Sequence, residues 1–194
     1  MRLDFVVGPN GAGKSTFVRL TLAAVLPCAS FVNADLIAQQ RWPGEAEVHS
    51  YEGARIAEAT REALIARREP FIAETVFSHP SKLDLLREAG AGGYYTAVHV
   101  VMVPEELAVA RVAARVVAGG HGVPEEKIRG RYRRLWPLVA DAIVLADAVT
   151  VYDNSRRNGP AVVADLSHGF LIGNPLWPDW APDALTTRWP GNTY

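Results

Sequence analysis

Short apolar runs alternate along this chain with longer segments in which apolar residues recur at helical spacing. The runs predict strands at residues 3–7, 30–33, 71–73, 94–103, 148–152 and 161–165. The segments between them predict helices over 17–26, from 35, and over 45–68, 79–89, 105–117 and 124–138. Such alternation favours a parallel sheet with helices on both faces. We therefore predict an α/β fold built on a mainly parallel sheet of five or six strands.

A glycine-rich segment joins the first predicted strand to the first predicted helix. It fits G-x-x-x-x-G-K-S/T, the phosphate-binding P-loop. Glycine lets backbone N–H groups approach phosphate oxygens, and the following helix adds the positive end of its dipole. Lys14 is expected on the β- and γ-phosphates, and the Ser15 hydroxyl on Mg²⁺. The candidates for nucleotide binding are Gly8, Pro9, Asn10, Gly11, Ala12, Gly13, Lys14, Ser15 and Thr16. The chain is therefore expected to bind a nucleoside triphosphate in a P-loop NTPase fold.

Composition excludes several classes of protein. With 194 residues, 49% of them hydrophobic and 21% charged, the chain fits one soluble globular domain. A net charge of −1 gives no electrostatic case for a nucleic-acid partner, and the single cysteine excludes a disulfide framework and a thiolate metal site. The sequence has no membrane-spanning run or signal segment, so a cytoplasmic protein without membrane contact is expected.

Two acidic residues follow the second and third predicted strands. Ligands of open parallel sheets gather beyond the carboxyl ends of the strands, so Asp35 and Glu74 are expected to face the phosphates. A kinase that acts on a hydroxyl needs a carboxylate to orient that hydroxyl and accept its proton. Asp35 is our candidate for this base, and Glu74 is expected to bind the acceptor or to hold Mg²⁺ through water. Helix capping by Asp35 and a solvated strand end at Glu74 are the alternatives.

Arginines flank a second glycine-rich segment at residues 119–122. Arg111 and Arg115 share one face of the preceding predicted helix. The following helix carries Arg129, Arg131, Arg133 and Arg134. Two helical arms joined by a glycine-rich loop are typical of a lid that closes over a triphosphate, and Arg111 or Arg115 is our candidate for stabilising the transferred phosphoryl group. A solvated amphipathic hairpin is the alternative. The signatures of ABC ATPases and of GTPases are absent, which leaves small-molecule kinase as the leading class.

Five motifs together resemble the zeta-toxin family of P-loop kinases over residues 2–155. They are the P-loop, Asn-Ala-Asp-Leu-Ile at 33–37, Phe-Ile-Ala-Glu-Thr at 71–75, Gly-Gly-His-Gly-Val-Pro-Glu-Glu-Lys-Ile at 119–128 and Val-Tyr-Asp-Asn-Ser at 151–155. The resemblance implies ATP-dependent phosphorylation of the 3′-hydroxyl of the sugar in UDP-N-acetylglucosamine, and a small helical antitoxin as protein partner. It also implies that Asp35 is the base and that Glu58 and Glu74 bind the substrate.

Two positions depart from the pattern of this family. His121 stands where the family has an arginine on the triphosphate. Val76 stands where the toxin of known substrate has a hydroxyl residue, with Thr75 beside it as a candidate for substrate binding. By analogy with related kinase folds, adenine is expected near Asn154, in the loop after the fifth predicted strand.

The sequence therefore predicts a P-loop kinase domain over residues 1–168, with an arginine-bearing lid at about 105–138. A Pro/Trp-rich tail over 169–194 is expected to pack on this domain, with a partner-binding surface as the alternative. The expected cofactors are ATP and Mg²⁺, and the expected substrate is a small molecule, first of all UDP-N-acetylglucosamine. Two alternatives stay open: a kinase of another sugar, antibiotic or nucleoside, and a nucleotide-binding regulatory module without turnover.

Overall fold

The centre of the protein is a seven-stranded sheet, seen in a computed structural model that describes residues 1–120 and 122–194. The strands are β1 (Arg2–Val7), β2 (Ser30–Asn33), β3 (Phe71–Thr75), β4 (Tyr95–Met102), β5 (Ala148–Asp153), β6 (Ala161–Ser167) and β7 (Phe170–Leu171). Their order is β2-β3-β1-β4-β5-β6-β7, with β1 to β5 parallel and β6 and β7 antiparallel to their neighbours. The predicted α/β P-loop NTPase-like fold with a mainly parallel sheet is confirmed. The predicted strand count is too low, because β7 has two residues and leaves no periodic signal.

Helices pack on both faces of this sheet. They are α1 (Lys14–Phe17), α2 (Ala23–Val25), α3 (Ala34–Arg41), α4 (Ser50–Arg67), α5 (Ser81–Ala91), α6 (Glu105–Val117), α7 (Glu125–Leu145) and α8 (Asp183–Thr186). A π-helical turn (Val18–Leu22) joins α1 to α2. Within residues 1–120 and 122–194, no helix combines the length and the apolar character that crossing a bilayer requires.

Two predicted helix boundaries are wrong. The long helix predicted from residue 45 begins at Ser50, because the chain turns at Gly44, which has a φ of 84°. The helix predicted to end near residue 138 continues to Leu145 although Pro137 lies inside it. Buried residues such as Val139 and Ile143 continue the apolar face of this helix beyond Pro137. We attribute the continuation to the free energy of their burial, which outweighs the loss of the backbone hydrogen bond that proline removes.

Alternate residues of the central strands enter two hydrophobic clusters, one on each face. Leu3, Phe5 and Val7 of β1 pack in the larger cluster. Val6 packs in the smaller cluster, together with Phe17 of α1. Burial on both faces explains why β1 reads as a nearly continuous apolar run, as expected for a central parallel strand. It also fixes the position of the P-loop, which follows directly after β1.

Residues 169–194 lie against the same core. Besides β7 of the central sheet, they form α8 and the parallel pair β8 (Leu176–Trp177) and β9 (Asn192–Thr193). Trp177 and Trp189 are buried, and the Trp177 Nε1 donates a hydrogen bond to the Trp189 carbonyl at 2.8 Å. Tyr194 donates through its hydroxyl to Asp153 Oδ2 at 3.0 Å, at the end of β5. The bond from Tyr194 attaches the end of the tail to the carboxyl end of the sheet, where the P-loop also lies.

Candidate active site

The register of the sheet places a buried carboxylate beside the P-loop. Glu74 of β3 pairs with Asn33 of β2 on one side and with Val6 of β1 on the other. Its Oε2 accepts hydrogen bonds from Asn33 Nδ2 at 2.7 Å and from Ser15 Oγ at 2.8 Å. Glu74 is therefore bound directly to the hydroxyl that a P-loop enzyme uses for its metal ion.

The backbone of the P-loop is closely packed by its neighbours. Gly11 and Gly13 have φ values of 74° and 87°, which favour glycine. A Cβ at Gly11 would lie 2.6 Å from the carbonyl oxygen of Ala108 in α6, and one at Gly13 would lie 2.7 Å from Asn154 Nδ2. Helix α6 and the residue after β5 therefore hold the loop in its phosphate-binding shape.

Lys14 lies buried at the start of α1, with 7% of its surface exposed. Its ammonium donates a hydrogen bond to the Pro9 carbonyl at 2.9 Å, and no ion pair to it is found among the described residues. Burial lowers the pKa of Lys14, an effect opposed by Glu74 and Asp35 and reinforced by nearby Arg115 and Arg131. The ammonium therefore has donors left for an anionic ligand.

Asp35 is free of the capping role that the sequence left open. The Asn33 side chain caps α3, because its Oδ1 accepts from the backbone N–H groups of Asp35 at 2.8 Å and of Leu36 at 3.0 Å. The Asp35 carboxylate is exposed and lines the same cavity as Lys14. This arrangement suits a group that must meet a substrate rather than hold the fold.

The cavity measures about 700 Å³. It is bounded by the P-loop, by α3 and the start of α4, and by α6 and α7, the two helices predicted to form a lid. The predicted site residues that line it are Asn10, Gly11, Gly13, Lys14, Ser15, Thr16, Asp35, Glu74, Thr75, Arg111 and Arg115. The volume and the polar lining suit a nucleotide and a small second substrate.

The two lid helices are joined by ion pairs. Arg129 of α7 contacts Glu106 of α6, with Nη2 to Oε2 at 2.8 Å, and also contacts Glu105 and Glu125. The hydrogen bonds that Arg129 donates to Glu106 and Glu125 raise the pKa of Arg129, and the bonds to Glu106 lower the pKa of that carboxylate. Arg129 thus joins α7 to α6, while Arg131 of α7 lines the cavity.

Asn154 joins the P-loop to the lid. Its Nδ2 donates to the Ala12 carbonyl at 2.8 Å, and its own carbonyl accepts from Arg111 Nη1 at 3.0 Å. Asn154 does not line the cavity, and its contacts are with the backbone of the P-loop and with Arg111. These contacts position the P-loop.

The remaining predicted residues lie elsewhere. Gly8, Pro9 and Ala12 are buried behind the cavity surface, and Glu58 is exposed on α4 outside the lining. His121 lies outside the described residues. The sequence did not predict the contact of Asn33 with Glu74. It also did not predict several residues of the lining, among them Glu47, Ser50, Tyr51 and Lys127. Of these four residues, only Lys127 could have been found from the sequence, because it lies inside the motif at 119–128. The other three lie before α4 or in its first turn and belong to no sequence motif.

A protein-family model described as an AAA domain matches residues 3–138, which is more than half of the chain. The chain belongs to this AAA-domain family. An uncharacterized protein of Haemophilus influenzae is 29% identical to this chain over 129 residues. The match covers 66% of this chain and 90% of the Haemophilus protein.

Solved structures share the fold of this AAA-domain chain. A chain of the AvrRxo1-ORF1:AvrRxo1-ORF2 complex with ATP superposes with a TM-score of 0.69 and 15% identity. The match covers 88% of this chain and 60% of the AvrRxo1 chain. A chain of the PezAT chromosomal toxin-antitoxin system of Streptococcus pneumoniae has a TM-score of 0.62 and 14% identity, covering 85% of this chain and 72% of that one. At these identities the likeness concerns the fold alone.

Proposed function

We propose that this protein transfers the γ-phosphoryl group of ATP to a hydroxyl group of a small molecule. One observation carries the proposal: the buried ammonium of Lys14 and the exposed carboxylate of Asp35 line one cavity, at the end of the sheet where ligands of this fold bind. A phosphate-binding cation next to an uncommitted carboxylate is what a hydroxyl kinase requires.

The residues of the P-loop and the lid supply the groups that bind ATP. The N–H groups around Gly11 and Gly13 and the Lys14 ammonium are positioned for phosphate oxygens, and Arg115 adds charge from the lid. Ser15 and Glu74 fit a Mg²⁺ ion, since magnesium in such enzymes is held by one or two protein oxygens together with phosphates. Bound Mg²⁺ would neutralise charge on the β- and γ-phosphates.

Asp35 is assigned the role of base. It accepts a hydrogen bond from the acceptor hydroxyl and takes the proton as the oxygen attacks the γ-phosphorus. A bond between that oxygen and phosphorus forms while the bond from phosphorus to the bridging oxygen breaks, and ADP leaves with that electron pair.

The resemblance to zeta toxins supports UDP-N-acetylglucosamine as the acceptor and a small helical antitoxin as a partner. The fold shared with a PezAT chain agrees with this proposal but does not identify a substrate. A different small hydroxyl compound is the second candidate, because the cavity wall formed by α3 and α4 has no basic side chain among its described residues.

Mass spectrometry tests the proposal directly. The protein is incubated with ATP, Mg²⁺ and either UDP-N-acetylglucosamine or a bacterial metabolite extract, beside the Asp35→Asn variant. A phosphate mass gain on UDP-N-acetylglucosamine that the variant lacks supports the first candidate. A gain only on a compound of the extract supports the second, and no gain in either mixture refutes kinase activity.

A further inference from the structure

Charges are segregated around the cavity. The P-loop and the lid contribute its basic side chains, which are Lys14, Arg111, Arg115, Lys127 and Arg131. The acidic side chains Asp35 and Glu47 come from a different part of the wall, formed by α3 and the turn before α4. Glu74 lies at the boundary, because it is bound to Ser15 of the P-loop.

The part of the wall that belongs neither to the P-loop nor to the lid helices is here called the acceptor side. It consists of Asp35, Glu47, Ser50, Tyr51, Thr75 and Ser78 with small apolar neighbours. Its polar groups are carboxylates and hydroxyls, and no lysine or arginine is found on it among the described residues. α3 and α4 carry four arginines, and all of them lie outside the cavity lining: Arg41, Arg55 and Arg67 are exposed, and Arg61 is buried.

This composition disfavours an acceptor with a phosphate or carboxylate group in the cavity. Such a group would face the exposed carboxylates of Asp35 and Glu47, and like charges a few ångströms apart repel by about 1–4 kcal/mol between bulk water and a protein surface. Side chains that bind anions are most often arginines, whose paired N–H donors match a phosphate or carboxylate, and the described residues of the acceptor side include no arginine. Among the basic residues of the lid, Arg111 donates to the Asn154 carbonyl and Arg115 is assigned above to the triphosphate. An anionic acceptor would have to compete with that triphosphate for Lys127 and Arg131.

The same groups match another chemistry. Carboxylates and hydroxyls accept hydrogen bonds from sugar hydroxyls, and a carboxylate also binds a protonated amine. Tyr51 is 74% exposed although it lines the cavity, so its ring offers an uncovered face to the apolar side of a sugar-like ring.

We infer that, if the kinase function proposed above is correct, the acceptor is an uncharged or cationic polyhydroxyl compound, such as an amino sugar without a phosphate or carboxylate group. Glu47 is the residue that selects it, through a hydrogen bond to a hydroxyl or an ion pair with an amine. This assignment opposes UDP-N-acetylglucosamine, which carries a diphosphate.

Fractionation of a bacterial metabolite extract tests this inference. The extract is passed over a strong anion exchanger at pH 8, and each fraction is incubated with protein, Mg²⁺ and ATP labelled with ¹⁸O in its γ-phosphate. The inference predicts labelled product only from the unretained fraction, and only with the protein that retains Asp35. Labelled product from the retained fraction overturns the charge assignment but leaves the kinase proposal intact. No Asp35-dependent product from either fraction refutes the kinase proposal, and the inference with it.

A matched pair of variants tests the role of Glu47. Glu47→Gln is expected to raise the KM for the isolated acceptor about tenfold, the loss of one charge-assisted hydrogen bond, without changing the KM for ATP. Glu45→Gln is the control, because Glu45 is exposed, contacts His49 at 3.6 Å and lies outside the cavity lining. An unchanged acceptor KM in Glu47→Gln, or an equal rise in both variants, would remove Glu47 from substrate selection.

Discussion

Replacing Lys14 by methionine should stabilise the ligand-free protein while abolishing ATP binding. The ammonium is buried and has one hydrogen bond among the described residues, to Pro9. Burial of such a charge costs about 4 kcal/mol after relaxation, and one charge-assisted hydrogen bond returns about 2 kcal/mol. The attractions of Glu74 and Asp35 are opposed by the repulsions of Arg115 and Arg131.

The net effect is a gain of about 2 kcal/mol in the free energy of unfolding at pH 7, because methionine keeps the apolar stem of lysine and removes its charge. For a chain of this size, the melting temperature should rise by about 4–8 °C. With ATP at 100 times its Kd the order reverses, since the ligand adds about 2.7 kcal/mol to the native protein and nothing to the variant.

The difference in stability between the native protein and the Lys14→Met variant should depend on pH. Burial lowers the pKa of Lys14, so the folded protein binds fewer protons than the unfolded chain between that pKa and the ordinary value near 10.4. The stability of the native protein relative to the variant must therefore rise with pH, and the advantage of methionine must shrink toward pH 10.

Urea unfolding of both proteins between pH 7 and pH 10 measures this difference. Lys127→Met is the control, because Lys127 lines the same cavity but is exposed, so its replacement should leave stability nearly unchanged. A Lys14→Met variant that is less stable than the native protein at pH 7, or a difference that does not change with pH, would refute the reasoning.

Two further predictions concern the contacts around the P-loop. Asn154→Ala leaves the buried Ala12 carbonyl without its hydrogen bond, a loss of about 1–3 kcal/mol, and should raise the Kd for ATP about tenfold in calorimetry; an unchanged Kd would contradict a positioning role. Tyr194→Phe removes one of the two hydrogen bonds to the buried Asp153 and should lower the melting temperature by about 2–6 °C; no change would mean that this contact of the tail adds nothing to stability.

The P-loop and the fold could be predicted because each rests on a local pattern. A glycine-rich segment between a buried strand and a helix needs no tertiary information, and alternating strands and helices specify a parallel sheet. The carboxyl ends of β2 and β3 likewise pointed to Asp35 and Glu74, both of which line the cavity.

Other features depend on contacts that no spacing encodes. Capping of α3 by Asp35 was an open alternative, but Asn33 caps this helix, because its side-chain amide reaches both Glu74 and the helix N–H groups. Glu47 and Tyr51 reach the cavity only because the turn after Gly44 delays the start of α4 and sets the face that this helix presents. The tail forms short elements around proline, which have no period to detect.

The most direct test of the account compares ATP binding with phosphoryl transfer in the Asp35→Asn variant. The Kd for ATP should stay close to the native value, because the proposed role of the Asp35 carboxylate is to bind the acceptor hydroxyl and not phosphate. Transfer to the acceptor in a metabolite extract should fall by about 10²–10⁴-fold through loss of the base. Transfer at the native rate would contradict the role of Asp35, and loss of ATP binding together with transfer would show that Asp35 acts in the nucleotide site instead.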